Sequence, residues 1–262
     1  MNEVNKTLFI PLYGKAQVSK KGIIIKDSKA EEIWSKEEFR IKGKAKSRWL
    51  TYYMAMRARV FDDWINSMLR KKKNALVLHI GCGLDSRVLR ITEEYSNWID
   101  ADFSDVIAQR KNYFEETAKY SMAVVDARNP EDIRKLPDCS EVIVILEGIS
   151  MYLTNDELKE LFCVLQKKYP TVHILLDVYT IFAAKASKYK NPVNEVGVTQ
   201  LYGIDNIEQL ISGTGLRYKA EHSFTPKPLV DELKGFDKAF FKAIFSEGMT
   251  KKIYRLHELE TE

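Results

Sequence analysis

The stretch Asn74-Ala-Leu-Val-Leu-His-Ile-Gly-Cys-Gly-Leu-Asp-Ser-Arg87 decides the fold. An apolar run, Ala75 to Ile80, meets two glycines separated by one residue, and a helix-compatible run, Leu84 to Glu94, follows. That is the pattern of a buried strand, a tight turn and a helix start, the first βα unit of a nucleotide-binding fold. Gly81 and Gly83 let the chain turn sharply and approach a ligand closely.

Downstream of this unit the chain alternates. Apolar runs predict strands at 75–80, 97–101, 121–125, 141–146 and 171–178, with helices at 84–94, 104–118, 154–169 and 179–189 between or after them. Alternation of this kind implies a parallel sheet with helices on both faces and a ligand site beyond the carboxyl ends of the strands. The tail reads as a helix at 205–213, a strand at 216–224, a helix at 236–246 and a strand at 251–258. Upstream, helical spacing predicts helices at 28–40 and 46–70, whereas Ile10-Pro-Leu-Tyr-Gly14 reads as a turn. The expected organisation is an N-terminal helical cap over residues 1–73 on a core of residues 74–262, the two making one structural unit.

The chain has 262 residues, 45% of them hydrophobic, enough for a substantial core. Its 41 basic and 37 acidic residues leave a net charge of +4, too small an excess to argue for a nucleic-acid or membrane partner. The clusters Lys42/Lys44/Lys46/Arg48 and Arg70-Lys-Lys-Lys73 read as solvated faces. Cys82, Cys139 and Cys163 have no paired spacing, which argues against a disulfide framework or a zinc site. With no leader pattern and no run of 18 apolar residues, the expectation is a soluble cytoplasmic protein with no metal.

The chemistry of the turn narrows the ligand. Ser86 stands where a dinucleotide fingerprint has its third glycine, and Asp85 puts a carboxylate where a pyrophosphate would sit. S-adenosylmethionine, which has no phosphate and carries a positive sulfonium, suits such a turn better than NAD. Asp102, 19 residues after Gly83, stands at the end of the second strand, where a carboxylate accepts the ribose hydroxyls; Asp100 competes for that role, and an N-cap is the plainer reading of Asp102. Asp126 ends the third strand, either near the adenine amine or as a turn carboxylate before Asn129-Pro130. Glu147 follows five apolar residues and needs a partner, whether the ligand's ammonium, an acceptor group or an arginine. Arg57 and Arg87 each suit the cofactor carboxylate, or else neutralise Asp85 or Glu147. His79 reads as a core histidine, and His173, His222 and His257 show no ligand spacing.

These pieces together resemble the leucine carboxyl methyltransferase family, and within it the bacterial tetracenomycin-type O-methyltransferases. The resemblance runs through Thr7-Leu-Phe-Ile-Pro-Leu-Tyr-Gly-Lys-Ala16, Asp27-Ser-Lys-Ala30, Arg57-Ala-Arg-Val-Phe-Asp-Asp63 and Gly81-Cys-Gly-Leu-Asp-Ser-Arg87. It continues through Asp102-Phe-Ser-Asp-Val-Ile107, Glu147-Gly-Ile-Ser-Met-Tyr-Leu153 and Tyr202-Gly-Ile-Asp205. Ser86 stands where the family usually has threonine, and Ser104 where it often has proline. The resemblance implies a class I, Rossmann-like α/β methyltransferase with a mostly parallel seven-stranded sheet. It further implies that Arg57 binds the cofactor carboxylate, Gly81 lines the methionine portion, Asp102 holds the ribose, Asp126 lies near adenine and Glu147 lies near the methionyl end. Lys15 is a looser match to a cofactor contact.

Methyl transfer from a sulfonium needs alignment and desolvation more than acid–base chemistry. No strong base stands out; Tyr152, Glu147 and His173 are the candidates. The expectation is therefore a carboxylate or acidic hydroxyl of a small organic molecule as acceptor. A protein C-terminal carboxylate is the alternative acceptor, an NAD-dependent dehydrogenase the alternative enzyme, and a binding module without turnover the non-enzymatic reading.

Overall fold

The computed structural model describes residues 6–39, 41, 43–190, 200–245 and 247–261. Lys42 of the first basic cluster and Arg40, the last residue of the helix predicted at 28–40, lie outside them. Helices α1 (Phe9–Lys20), α2 (Ser28–Lys36) and α3 (Arg48–Lys71) precede the first strand. There follow β1 (Leu76–Ile80), α4 (Arg87–Arg90), β2 (Asn97–Asp102), α5 (Ser104–Arg110), β3 (Tyr120–Val124), α6 (Pro130–Arg134) and β4 (Glu141–Leu146). The chain continues with α7 (Asn155–Lys168), β5 (Thr171–Tyr179), α8 (Ile181–Lys190), α9 (Ile207–Ile211) and β6 (Leu216–His222). It closes with α10 (Lys227–Asp231), α11 (Gly235–Ile244), α12 (Glu247–Thr250) and β7 (Tyr254–Thr261).

Seven strands form one sheet in the order β3-β2-β1-β4-β5-β7-β6. The pairs among β1 to β5 are parallel, and β7 runs antiparallel to both β5 and β6. Because β2 and β4 flank β1, the chain reverses its winding there, and a crevice opens beyond Ile80 and Leu146. Alternate residues of the central strands feed two cores. Val77, Ile143, Ile145 and Leu175 pack with the N-terminal helices, and Leu76, Leu78, Val142, Val144 and Ile174 pack with α7. A Thr154–Glu157 capping box starts α7.

Three local expectations need correction. The predicted turn at Ile10–Gly14 lies inside α1. Pro11 falls in the first helical turn, where its missing N–H costs no hydrogen bond, and Gly14 lets α1 cross α3 closely, since a Cβ there would lie 3.3 Å from Met54 Cβ. The helix predicted over 84–94 is confined to Arg87–Arg90, where buried Arg87 and the largely covered side chain of Arg90 are drawn into carboxylates and the backbone turns extended at Ile91. The helix predicted over 104–118 ends at Arg110, whose guanidinium is wholly buried.

Candidate active site

A cavity of about 290 Å³ occupies the crevice. Its floor is the β1 turn (Ile80 to Asp85), Asp102-Phe103 after β2, Val125 to Arg128 after β3, and Glu147 to Ile149 with Met151 to Leu153 after β4. Its cover is Thr7, Leu8, Ile10 to Leu12 and Lys15 from the N-terminal segment, with Leu50, Met54 and Arg57 of α3. Tyr179 and Tyr254 close the far wall.

The β1 turn is built for close approach. Gly81 has φ +72°, and a Cβ there would lie 2.0 Å from Ile149 Cγ2, so any other residue would be strained and would have to displace the Ile149 side chain. The Gly83 N–H donates to Asp102 Oδ2 at 2.8 Å, and the Phe103 N–H donates to Asp102 Oδ1 at 2.8 Å. Burial raises Asp102 to about 6 despite these two donors. Asp100 is wholly buried one pleat deeper, paired with Arg110 and accepting from Tyr120 Oη at 2.9 Å and Trp98 Nε1 at 2.8 Å. Burial opposes its charge, but Arg110 and His79 hold it below the usual carboxylate range. Arg110 also donates to the carbonyls of Gly83 at 3.1 Å and Asp85 at 2.7 Å, bracing the turn from beneath.

Beside the turn lies a buried ionic cluster. Lys15 meets Asp85 at 2.7 Å. Arg90 meets Asp85 at 2.8 Å, Asp62 at 2.8 Å and Asp27 at 2.7 Å. Arg87 meets Asp62 at 2.7 Å, Asp85 at 3.5 Å and Glu147 at closer range. Arg57 meets Glu147 at 2.9 Å and Asp177 at 3.0 Å. Buried charges persist only when paired and hydrogen-bonded, and here four cations meet five carboxylates. Burial works against Glu147, but Arg87 and Arg57 bring it down to about 2. Burial likewise opposes Asp85, yet Arg90, Lys15 and Arg87 hold it well below the usual range. Asp177 is the exception: its burial outweighs Arg57 and its hydrogen bonds and pushes it up.

Of the residues singled out in the sequence, Arg57, Gly81, Gly83, Asp85, Asp102, Asp126, Glu147, Tyr152 and the more loosely matched Lys15 all border the cavity. Arg87 does not; it is fully buried behind Glu147. Asp85 borders the cavity, but its charge is met by three cations of the chain itself. Asp126 is engaged side-on by Arg128, at 2.9 and 2.7 Å, and that contact lowers its pKa. His79 lies between Asp100, 3.3 Å from Nδ1, and Arg87, 3.4 Å from Nε2, and burial lowers its pKa. Burial raises the Tyr152 phenol, and Glu147 is doubly paired, so neither is basic near neutral pH. His173 lies near Glu141, 3.1 Å away at the opposite ends of the strands, and does not border the cavity. Sequence reasoning missed Asp27, Arg90, Arg110, Asp177 and Tyr254. Asp177, a lone carboxylate in the apolar run of β5, carried a signal of the kind that exposed Glu147.

Among the described residues, no helix is long and apolar enough to cross a membrane, and no three His, Cys, Asp or Glu side chains group as a metal site. A family model described as leucine carboxyl methyltransferase matches residues 6–166. The chain is 27% identical, over 90% of its length and 88% of the relative's, to the tetracenomycin polyketide synthesis O-methyltransferase TcmP of Streptomyces glaucescens. Among solved structures, the magnesium protoporphyrin IX methyltransferase of Synechocystis, with bound SAH, superposes with a TM-score of 0.51 at 10% identity, covering 90% of this chain and 94% of that one. A Mesorhizobium loti S-adenosylmethionine-dependent methyltransferase gives 0.52 at 12% identity, covering 76% and 96%.

Proposed function

Since the chain belongs to the leucine carboxyl methyltransferase family and is an S-adenosylmethionine-dependent enzyme of class I fold, we propose that it methylates an oxygen that arrives already ionised. The acceptor is a carboxylate or acidic hydroxyl of a small organic molecule. The observation that carries this reading is the state of the titratable groups around the cavity. Glu147 and Asp85 are ion-paired, Tyr152 and Tyr254 are pushed up by burial, and His79 is lodged against Asp100 and Arg87. Burial raises Asp102 to about 6, and in this reading the ribose occupies it. A hydroxyl of ordinary acidity would need a general base; a carboxylate needs none.

In the same reading Asp102 accepts the ribose hydroxyls, and the Gly81–Gly83 turn admits the methionine portion. Arg57 and Lys15 face its carboxylate, Glu147 faces its ammonium, and Asp126 lies toward adenine. The ionic cluster's one excess carboxylate supports this, because the methionyl end with its sulfonium carries one net positive charge. S-adenosylmethionine supplies the methyl group as an already activated electrophile. The protein's part is to align the acceptor oxygen with it and keep water out, which in well-oriented systems is worth about 7–11 kcal/mol. Apolar lining from Leu8, Ile10, Pro11, Leu50, Met54 and Met151 suits an organic acceptor. We place the enzyme in the cytoplasm, working on free small molecules.

Transfer of labelled methyl from S-adenosylmethionine to a panel of aromatic carboxylates, phenols, aliphatic alcohols and leucine-terminated peptides tests the proposal. Carboxylates or acidic phenols should be methylated at a rate independent of pH between 7 and 9 once they are ionised. Methylation of peptide termini alone would transfer the assignment to protein carboxylates, and methylation of alcohols alone would sink it. The family match leaves the dehydrogenase reading without support.

A further inference from the structure

Arg57 is held in one orientation by two residues that the proposed cofactor contacts do not include. Asp177, on β5 and wholly buried, accepts from Arg57 Nη1 at 3.0 Å, from Tyr254 Oη at 2.6 Å and from the Gly148 N–H at 2.7 Å. Tyr254, the first residue of β7, in turn accepts from the same Nη1 at 3.0 Å. Glu147 takes Nε at 2.9 Å. That leaves Nη2, which has no hydrogen-bond acceptor among the described residues although the side chain is 6% exposed and borders the cavity. Gly148 leaves it room: φ is +74°, and a Cβ there would lie 3.2 Å from Nη2. Nη2 is therefore the guanidinium nitrogen left open to the cavity, placed to donate to an anionic ligand there.

We propose that Asp177 and Tyr254 are positioning residues for the cofactor's carboxylate, acting by pinning Arg57 Nη1 so that Nη2 faces the cavity. This rests on the assignment of Arg57 to that carboxylate. The pairing of β5 with β7 brings the two together, with Tyr179 opposite Tyr254 and Asp177 opposite Leu256. The Tyr254 ring is fixed independently of its hydroxyl, stacked on Phe224 at 4.7 Å and edge-on to Tyr179 at 4.6 Å. Tyr254→Phe therefore removes the hydroxyl and keeps the packing.

The experiment is calorimetric titration of wild type, Tyr254→Phe and Asp177→Asn with two ligands: S-adenosylhomocysteine, and 5′-methylthioadenosine, which lacks the amino-acid carboxylate. Tyr254→Phe should weaken S-adenosylhomocysteine about tenfold and leave 5′-methylthioadenosine unchanged. In an Arg57→Lys background, which has no second nitrogen to orient, the same change should have no effect. Equal weakening of both ligands, or of neither, overturns the positioning role, as does a full effect in the Arg57→Lys background. Asp177→Asn should show the same ligand selectivity; if it fails to fold, Tyr254→Phe decides alone. A wild-type protein that binds neither ligand overturns the cofactor reading itself. Wild type that binds both ligands, with Arg57→Lys selectively impaired but Tyr254→Phe normal, overturns this inference and leaves that reading standing.

Discussion

Asp100 and Asp102, two residues apart on β2, are both buried yet have opposite electrostatic fates. Asp100 is drawn below the ordinary carboxylate range by Arg110 and His79, while burial lifts Asp102, which two backbone N–H groups hold at the cavity, to about 6. Strand periodicity puts both on one face; the depth of the crevice separates a structural carboxylate from one free to meet a ligand.

The first consequence is a pH dependence. Only ionised Asp102 can accept two ribose hydroxyls, so cofactor affinity should be constant above pH 7. It should then fall about tenfold per unit below a pH of about 6. Titrating S-adenosylhomocysteine from pH 5 to 8 measures this, and Asp102→Asn should weaken binding and flatten the profile. For stability the sign is opposite. A raised carboxyl favours the fold when protonated, so its contribution is present at low pH and is lost as pH rises through about 6.

Glu147 behaves the other way. Its carboxyl lies at about 2 in the fold, so its stabilisation is present above the unfolded carboxylate range and lost as pH falls toward 2. Glu147→Gln leaves Arg57 and Arg87 short of a countercharge and should cost about 3–5 kcal/mol in urea unfolding. A cost under about 1 kcal/mol would mean that the arginines find other partners.

Arg57 and Arg87 should separate in function. Arg57→Met should raise the cofactor dissociation constant by about tenfold or more, because Arg57 borders the cavity with a free Nη2. Arg87→Met should register chiefly as lost unfolding free energy, about 3–5 kcal/mol, because Arg87 lies behind Glu147. If the two variants proved interchangeable in both assays, the division between them would fail.

Gly81→Ala combines a left-handed backbone with a side-chain collision at Ile149. It should cost about 1–3 kcal/mol in strain alone and weaken the cofactor. Adding Ile149→Ala should restore the part due to the collision and not the part due to φ. Thermal melts of the single and double variants read this directly.

Much of the fold was legible because each central strand is a short apolar run ended by a polar residue or glycine, and local pattern sets strand and helix without reference to distant partners. Asp102 and Glu147 were legible for the same reason: each is a charge at the end of a buried strand, where only a site or an ion pair can hold it. The helix at Phe9–Lys20 was not legible, because Pro11 and Gly14 signal a turn until α3 is present to pack against. The role of Asp85 was hidden, and the sequence left Arg87 open between a ligand and a countercharge to Asp85 or Glu147. Whether a carboxylate beside a glycine turn attracts a ligand or is neutralised within the chain depends on Lys15 and Arg90, which only the docking of α1 and α4 delivers.

By itself, then, the sequence determined the layered α/β sheet, the glycine turn and the carboxylates at the strand ends, all set by interactions within a few residues. Tertiary structure alone decided which charges are spent inside the protein and which face the cavity. Pairing energies at 3 Å depend on contacts such as Arg57 with Asp177 and Tyr254, residues 120 and 197 positions away, that no local pattern encodes.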